Sequence, residues 1–293
     1  MTDPARLDGG LADAVAYVTA LVRQADQDRY WSALLAPEPA RTALLALYAF
    51  DVELARIADE VSEPHIGLIR LKWWHDAVGS AIGEDGDGHP LIRVLLPLAE
   101  KHGVPRQRLA AMVEAREAEF DTEGFADFGE LEEYLVASAG GVLEFAGLIL
   151  SQNGTASAKM GDLVRDAAIA NGLAGLVRAL PWHAAHGRVF LPRRLLSAHG
   201  LHPDAVRAGN DNPDLRAALR DVVTRAEDAL LRFRAGARAL PRELRPAFLP
   251  VALVGPVLSK LARPRRAPFR DAAQLNPLRR YLLIWKAYLS GRF

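Results

Sequence analysis

The sequence predicts an all-α protein, and three observations carry that expectation. Apolar side chains recur at spacings of three and four along almost every segment, which places them on one face of a helix. Clusters of Gly, Pro, Asn, Asp and Ser interrupt these runs. Alternating β-branched stretches are nearly missing, and only Arg188 to Leu191 reads as briefly extended.

Taken in order, the first clear stripe is Leu47, Phe50, Leu54, Ile57 and Val61, closed by SEP at 62–64. After GEDGDGHP at 83–90 the helical period returns over 107–119 and over 129–150. In the second of these, Ala139, Gly140 and Gly141 stand in mid-helix, where a glycine costs about 1 kcal/mol relative to alanine. Either close helix packing or a ligand must require the missing side chains. SQNG at 151–154 precedes the run 160–178, and LVRALPWHAAHGRVFLP (176–192) reads as that helix ending at Pro181. AGNDNPD at 208–214 opens the run 214–238. The last segment, PLRRYLLIWKAYLSGRF (277–293), is basic and amphipathic. With no internal repeat and no splitting linker, residues 1–293 are expected to form one domain of roughly ten helices, a compact bundle.

Composition narrows the chemistry. The chain has 293 residues, half of them hydrophobic, with 36 basic and 36 acidic side chains and no cysteine, so disulfides and thiolate nucleophiles are excluded. MTDPARLDGG lacks a signal-peptide pattern, and the apolar run 247–258 is broken by Pro250 and Pro256, so a cytoplasmic protein without a transmembrane helix is expected. No nucleic-acid partner is expected. Neutrality hides an asymmetry, since residues 260–293 carry nine Lys/Arg against Asp271, a net +8. Such a segment suits a membrane surface or an acidic partner, or packs on its own domain.

Two clusters are candidates for chemistry. Glu53, Arg56, Glu60 and Glu63 follow at i, i+3, i+7 and i+10, with Asp59 beside them. The carboxylates could hold Mg²⁺, which takes one or two of them plus substrate phosphate oxygens, but Arg56 in their midst favours a salt-bridged face. Arg56 is expected to pair with Glu53, Glu60 or Asp59, and its loss to destabilise the fold. In HAAH, His183 and His186 lie one turn apart, and His199 and His202 repeat the spacing, yet a catalytic zinc needs a third ligand and none is near. No metal site is expected there, and no P-loop, dinucleotide fingerprint or nucleophile elbow is present.

Three ordered segments, RYWSALLAPEPARTALLALYAF (29–50), YLVASAGGVLEFAGLIL (134–150) and GLVRALPWHAAHGRVFLPRRLL (175–196), resemble the squalene/phytoene synthase family over roughly residues 20–290. The resemblance implies an isoprenoid synthase fold, a helical bundle around a central cavity, and in the family two acidic motifs that hold Mg²⁺ while prenyl diphosphates are joined head to head. Aligned on Tyr48-Ala49-Phe50, the first motif falls on Ala55, Arg56, Ile57, Ala58 and Asp59, keeping only its last aspartate, with Glu60 and Glu63 beyond. Aligned on Gly187-Arg188-Val189, the second falls on Ala179, Leu180, Pro181, Trp182 and His183, with both aspartates gone and Arg178 retained just before it.

FDVELARIADEVSEPHIGLIRLKWW and LVRALPWHAAHGRVFLP resemble the branch that includes a mitochondrial assembly factor for respiratory complex I. The implied role is a non-catalytic binding or assembly factor with no cofactor, holding an assembly intermediate of that complex or an isoprenoid or lipid in its cavity. Two other readings stay open. One is a Mg-dependent prenyl diphosphate transferase with a rearranged site, in which Glu53, Asp59, Glu60 and Glu63 supply the metal ligands. Tyr48, Arg56, Arg178 and Arg188 would then bind the diphosphate or ligand. The other is a lipid carrier docked peripherally at the inner face of a membrane through 277–293.

Overall fold

The computed structural model describes residues 4–79, 88–151, 157–263, 267–271 and 273–293. Fifteen α-helices run through these residues. In chain order they are α1 (Pro4–Ala25), α2 (Gln27–Leu34), α3 (Ala40–Glu60), α4 (Pro64–Gly79), α5 (Pro90–Lys101), α6 (Arg106–Ala115), α7 (Phe128–Leu135) and α8 (Gly141–Leu150). Then come α9 (Ser157–Ala185), α10 (Arg193–Ala198), α11 (Pro203–Arg207), α12 (Pro213–Ala237), α13 (Arg245–Phe248), α14 (Val254–Leu261) and α15 (Pro277–Ser290). The sequence undercounts them because α10, α11 and α13 have six residues or fewer, too few for a 3.6-residue period to show. There is no strand among the described residues, and Arg188–Phe190 is irregular. The breakers at 83–87 and 152–154 lie outside the described residues, whereas 61–63 and 210–212 interrupt helices as expected.

The chain packs as two compact units. Unit 1 takes the described residues of Met1–Phe120, Gly141–Met160 and Pro241–Leu249, and unit 2 those of Asp121–Gly140, Gly161–Leu240 and Pro250–Phe293.

In unit 1, α3 is the central element, with α1, α2, α4, α5 and α8 packed around it. Residues 43–52 are buried without a break, so this half of α3 is enclosed on all sides rather than along a single stripe. Leu44, Leu47, Phe50 and Leu54 are each at most 1% exposed and stabilise the unit by about 1.5–3 kcal/mol apiece. Gly141 lets Met112 pass, since a Cβ there would lie 2.9 Å from Met112 Cγ. In unit 2, a Cβ on Gly140 would meet Ala168 Cβ at 3.4 Å. Close packing therefore accounts for Gly141, whereas at Gly140 a Cβ would make ordinary contact.

In unit 2, α12 packs on α10 and α14. Asp127 caps α7 by accepting from the amides of Gly129 (2.9 Å) and Glu130 (3.3 Å), and it pairs with Arg194 at 2.6 Å. The amides of Arg193 and Arg194 donate to the carbonyls of Phe125 (2.9 Å) and Ala126 (3.0 Å). These bonds fix the chain just after GRVFLP against residues 125–127. Arg225 pairs with the buried Glu132 of α7 and lies 4.7 Å over the Phe128 ring.

Two helical stretches, Phe128–Leu150 and Arg242–Leu261, are long and apolar enough to cross a membrane by length and composition alone, a test that buried core helices also pass. Of their apolar windows 56% and 67% is buried. The second stretch contains Pro250 and Pro256, which leave it as short α and 3-10 pieces without ending the helical course.

Candidate functional site

The first acidic stripe lies at the end of α3, in unit 1. Arg56 meets Glu53 at 3.8 Å, a loose pair with the Arg56 side chain 39% exposed. Glu53 also accepts a hydrogen bond from the Tyr17 hydroxyl on α1, at 3.2 Å. Glu60 turns away to Arg70 on α4, at 3.0 Å, and Glu63 lies beside His65 at 3.4 Å. Asp59 is exposed and Ala55 offers no donor. Glu53, Glu60 and Glu63 thus splay toward α1, α4 and the α3–α4 turn, each with its own partner. Within this unit no three His, Asp or Glu among the described residues gather as a metal cage. The Mg²⁺ that the resemblance implies does not fit these residues, because a guanidinium occupies the middle of the stripe and Arg70 already holds Glu60.

In the α3–α4 pattern VSEP–IGL–R–WW, Gly67 and Trp74 serve packing. A Cβ on Gly67 would lie 2.0 Å from Phe120 Cε1, so the ring sits directly on the glycine. Leu71 and Trp74 are buried, and Trp74 meets Phe50 edge-on at 5.6 Å between centroids. The other side of α4 leaves Ile66, Ile69 and Trp73 exposed at i, i+3 and i+7.

Sequence reasoning missed the strongest charge cluster of unit 1. Asp51, one turn before the stripe and 6% exposed, receives Arg29 at 2.5 Å and Arg116 at 2.6 Å on its two oxygens. Arg116 also meets Glu119 at 2.7 Å, and Arg29 lies 3.6 Å from Asp26. Burial would raise the Asp51 carboxyl, but the two guanidiniums outweigh it and hold it below the usual carboxylate range. Tyr48, 1% exposed, lies under Arg29 with 5.5 Å from guanidinium to ring centroid. Burial pushes its phenol above the ordinary value, and its hydroxyl meets no hydrogen-bond partner among the described residues. The one available signal was an aspartate inside an otherwise apolar run, LLALYAFDV.

The second motif lies in unit 2, near the end of α9. This helix does not stop at Pro181 but continues to Ala185, because a proline near a helix C-terminus removes one hydrogen bond while the neighbouring turns still close. Gly187, at φ +74°, ends the run. His183 lies against the Phe190 ring, 4.6 Å between centroids. His186 stacks on Trp182 at 4.2 Å, and its Nδ1 lies 2.8 Å from the Trp182 carbonyl. The two imidazoles thus serve aromatic neighbours rather than a shared ion. His199 goes to Asp221 at 2.8 Å, and His202 caps α11. Phe190 in turn packs with Phe125 (6.1 Å) and Tyr134 (6.3 Å), an aromatic cluster under the former acidic positions. Ala179 is half-buried and Trp182 is 53% exposed. Arg178 is exposed and Arg188 half-buried, both on this unit, while Tyr48, Glu53 and Arg56 belong to the other.

Comparison with known proteins agrees with this layout. The human assembly factor 6 of NADH dehydrogenase (ubiquinone) complex I is 28% identical over 279 residues, covering 92% of this chain and 81% of that protein. The phytoene synthase of Mycobacterium tuberculosis is 28% identical over 253 residues, covering 85% and 80%. A crystal structure of a dehydrosqualene synthase in complex with ligand superposes with TM-score 0.80 at 18% identity, covering 99% of this chain and 100% of that one. The fold is therefore the all-α isoprenoid synthase fold of such proteins. The family model described as squalene/phytoene synthase matches residues 22–281, and the chain belongs to that family.

Proposed function

We propose that this chain is a non-catalytic family member that acts as a binding or assembly factor in the maturation of an NADH:quinone oxidoreductase of the complex I type. One observation carries the reading: Glu53, Glu60 and Glu63 face Arg56, Arg70 and His65 in turn, Asp59 is the one aspartate left in the first motif, and the second motif holds Ala179 and His183. Ionising a prenyl diphosphate builds charge on the leaving oxygens, which metal ions offset by several kcal/mol. These residues supply no such offset. The relatives named as assembly factors, 28% identical over nearly the whole chain, support the assembly role. The exposed row Ile66, Ile69 and Trp73 on α4 supplies a surface for a partner protein. No cofactor is required in this role, and the ligand class that goes with the fold is an isoprenoid or other lipid.

Two measurements test it together. Purified protein, incubated with farnesyl or geranylgeranyl diphosphate and Mg²⁺, should release no diphosphate and form no coupled hydrocarbon above the blank. Deleting the gene in its own host should lower the amount of fully assembled NADH:quinone oxidoreductase on native gels. Coupled product would restore the transferase reading, with Glu53, Asp59, Glu60 and Glu63 as ligands. Normal assembly in the deletion strain would remove the assembly role.

A further inference from the structure

Helix α15 is anchored by one narrow side and leaves a broad apolar one uncovered. Ile284 and Ala287, each 1% exposed, are its buried contacts. Leu278 is 67% exposed, Tyr281 43%, Leu282 54%, Trp285 41% and Leu289 56%. At 3.6 residues per turn these five fall within an arc of about 100°. Arg279 and Lys286, seven residues apart, run along one edge of that arc. Tyr281 stacks on Trp285 at 6.5 Å and 13°, which makes a flat aromatic surface on the stripe.

Arg279 also lines a cavity of about 540 Å³ between α12 and α14 in the same unit. Arg234, Lys260 and Arg263 share that lining, along with Leu230 and a single carboxylate among the described lining residues, Glu227. The basic groups are placed. Arg234 donates through Nε to the main-chain oxygen of Phe293 at 2.7 Å, and Lys260 donates to the carbonyl of Gln274. The Arg234 guanidinium crosses Gly255, where a Cβ would stand 2.6 Å from Nη2, so a larger residue there would make the cation shift. Leu231, 62% exposed, extends the apolar surface from the cavity mouth along α12.

We infer that α15 and the α12–α14 cavity form a docking face for an anionic bilayer, the stripe entering the interfacial layer while the cavity receives a lipid headgroup phosphate. Two features choose a bilayer over a protein. Trp and Tyr beside Leu on one helix face suit the headgroup–acyl boundary. Lysine is depleted from protein interfaces, whereas Lys and Arg beside an apolar stripe are attracted to anionic leaflets. Residues 260–293 carry net +8, so the charge is concentrated where the apolar stripe lies.

Co-sedimentation of the full chain with phosphatidylcholine vesicles, with and without phosphatidylglycerol, tests the face. Binding is expected only to the anionic vesicles and should weaken as salt is raised. Arg263→Glu with Arg279→Glu, both exposed, should lower anionic-vesicle affinity by about tenfold or more. Leu282→Ser with Trp285→Ser should abolish binding, and brominated lipid should quench wild-type tryptophan fluorescence but not that of this variant beyond the level in lipid-free protein. Both variants should melt with the parent, which separates docking from folding. Equal binding to neutral vesicles, no binding to either, or variants that bind like the parent would overturn the inference. Retention of a protein partner by α15 without vesicle binding would do the same.

Discussion

Asp51 is the side chain on which unit 1 depends most for charge balance. It is buried with two guanidiniums on its oxygens, so removing it leaves Arg116 with Glu119 and Arg29 with the looser Asp26 pair. Breaking a buried pair by removing one partner costs about 3–5 kcal/mol, and Asp51→Asn should lose that much in denaturant unfolding. The pH dependence follows from the direction of its shift. A carboxyl held below its unfolded value, near 3.9, adds stability that is present above that pH and is lost as pH falls through the lower folded value. The gap between wild type and Asp51→Asn should accordingly be full at neutral pH and close below about pH 4. A gap that widened in acid would contradict this assignment. Arg56 is the opposite case. At 3.8 Å from Glu53 and 39% exposed, its pair is worth at most about 1 kcal/mol. Arg56→Asp should therefore change stability little, against the expectation from sequence that it would destabilise the fold. Isothermal titration should find no gain of Mg²⁺ binding, because Glu60 remains committed to Arg70.

The helix α4 divides its pattern between a packed side and an exposed apolar row. Gly67 lies beneath Phe120, Leu71 and Trp74 point inward, and Arg70 reaches Glu60. Gly67→Ala forces a methyl into the ring, and overpacking of that kind costs about 1–3 kcal/mol. Thermal melting should record the loss, and Phe120→Ala in the same chain should recover part of it by making room. No loss in the single variant would show that the ring moves aside freely. Helix α9 makes a related point about prolines. Pro181 lies four residues before the helix end, so it removes a hydrogen bond near a terminus where few remain to be lost. The imidazoles of His183 and His186 then go to Phe190 and Trp182, which leaves the second motif an aromatic rather than an acidic surface.

Taken over the whole chain, an isoprenoid synthase fold is retained while the acidic chemistry is dispersed into ion pairs and ring stacks. An assembly role and a catalytic role then predict different patterns of complementation. In a deletion strain, Arg56→Asp, Arg178→Ala and Ala179→Asp should each support oxidoreductase assembly as well as the parent chain. Ile69→Asp with Trp73→Asp, on exposed positions of α4, should not, while keeping the parent melting temperature. The reverse ranking, with α4 neutral and Arg178 essential, would point back to diphosphate chemistry.

Much of this molecule was legible along the chain. The helical runs at 47–61, 107–119, 129–150, 160–178 and 214–238 recur as helix to within a residue of their ends, because periodicity and Gly/Pro punctuation are local properties. The ordered YAF, AGG and GRVFLP segments carried the family, and the loss of acids at 55–59 and 179–183 is read directly from residue identity. Partner choice was not legible. Asp51 pairs with Arg29, 22 positions away, and with Arg116, 65 positions away, and nothing near any of the three marks the others. Which carboxylate meets which cation, and which face of α15 stays uncovered, depend on how helices cross. That is set by side-chain packing among distant segments, so it came into view only with the folded chain.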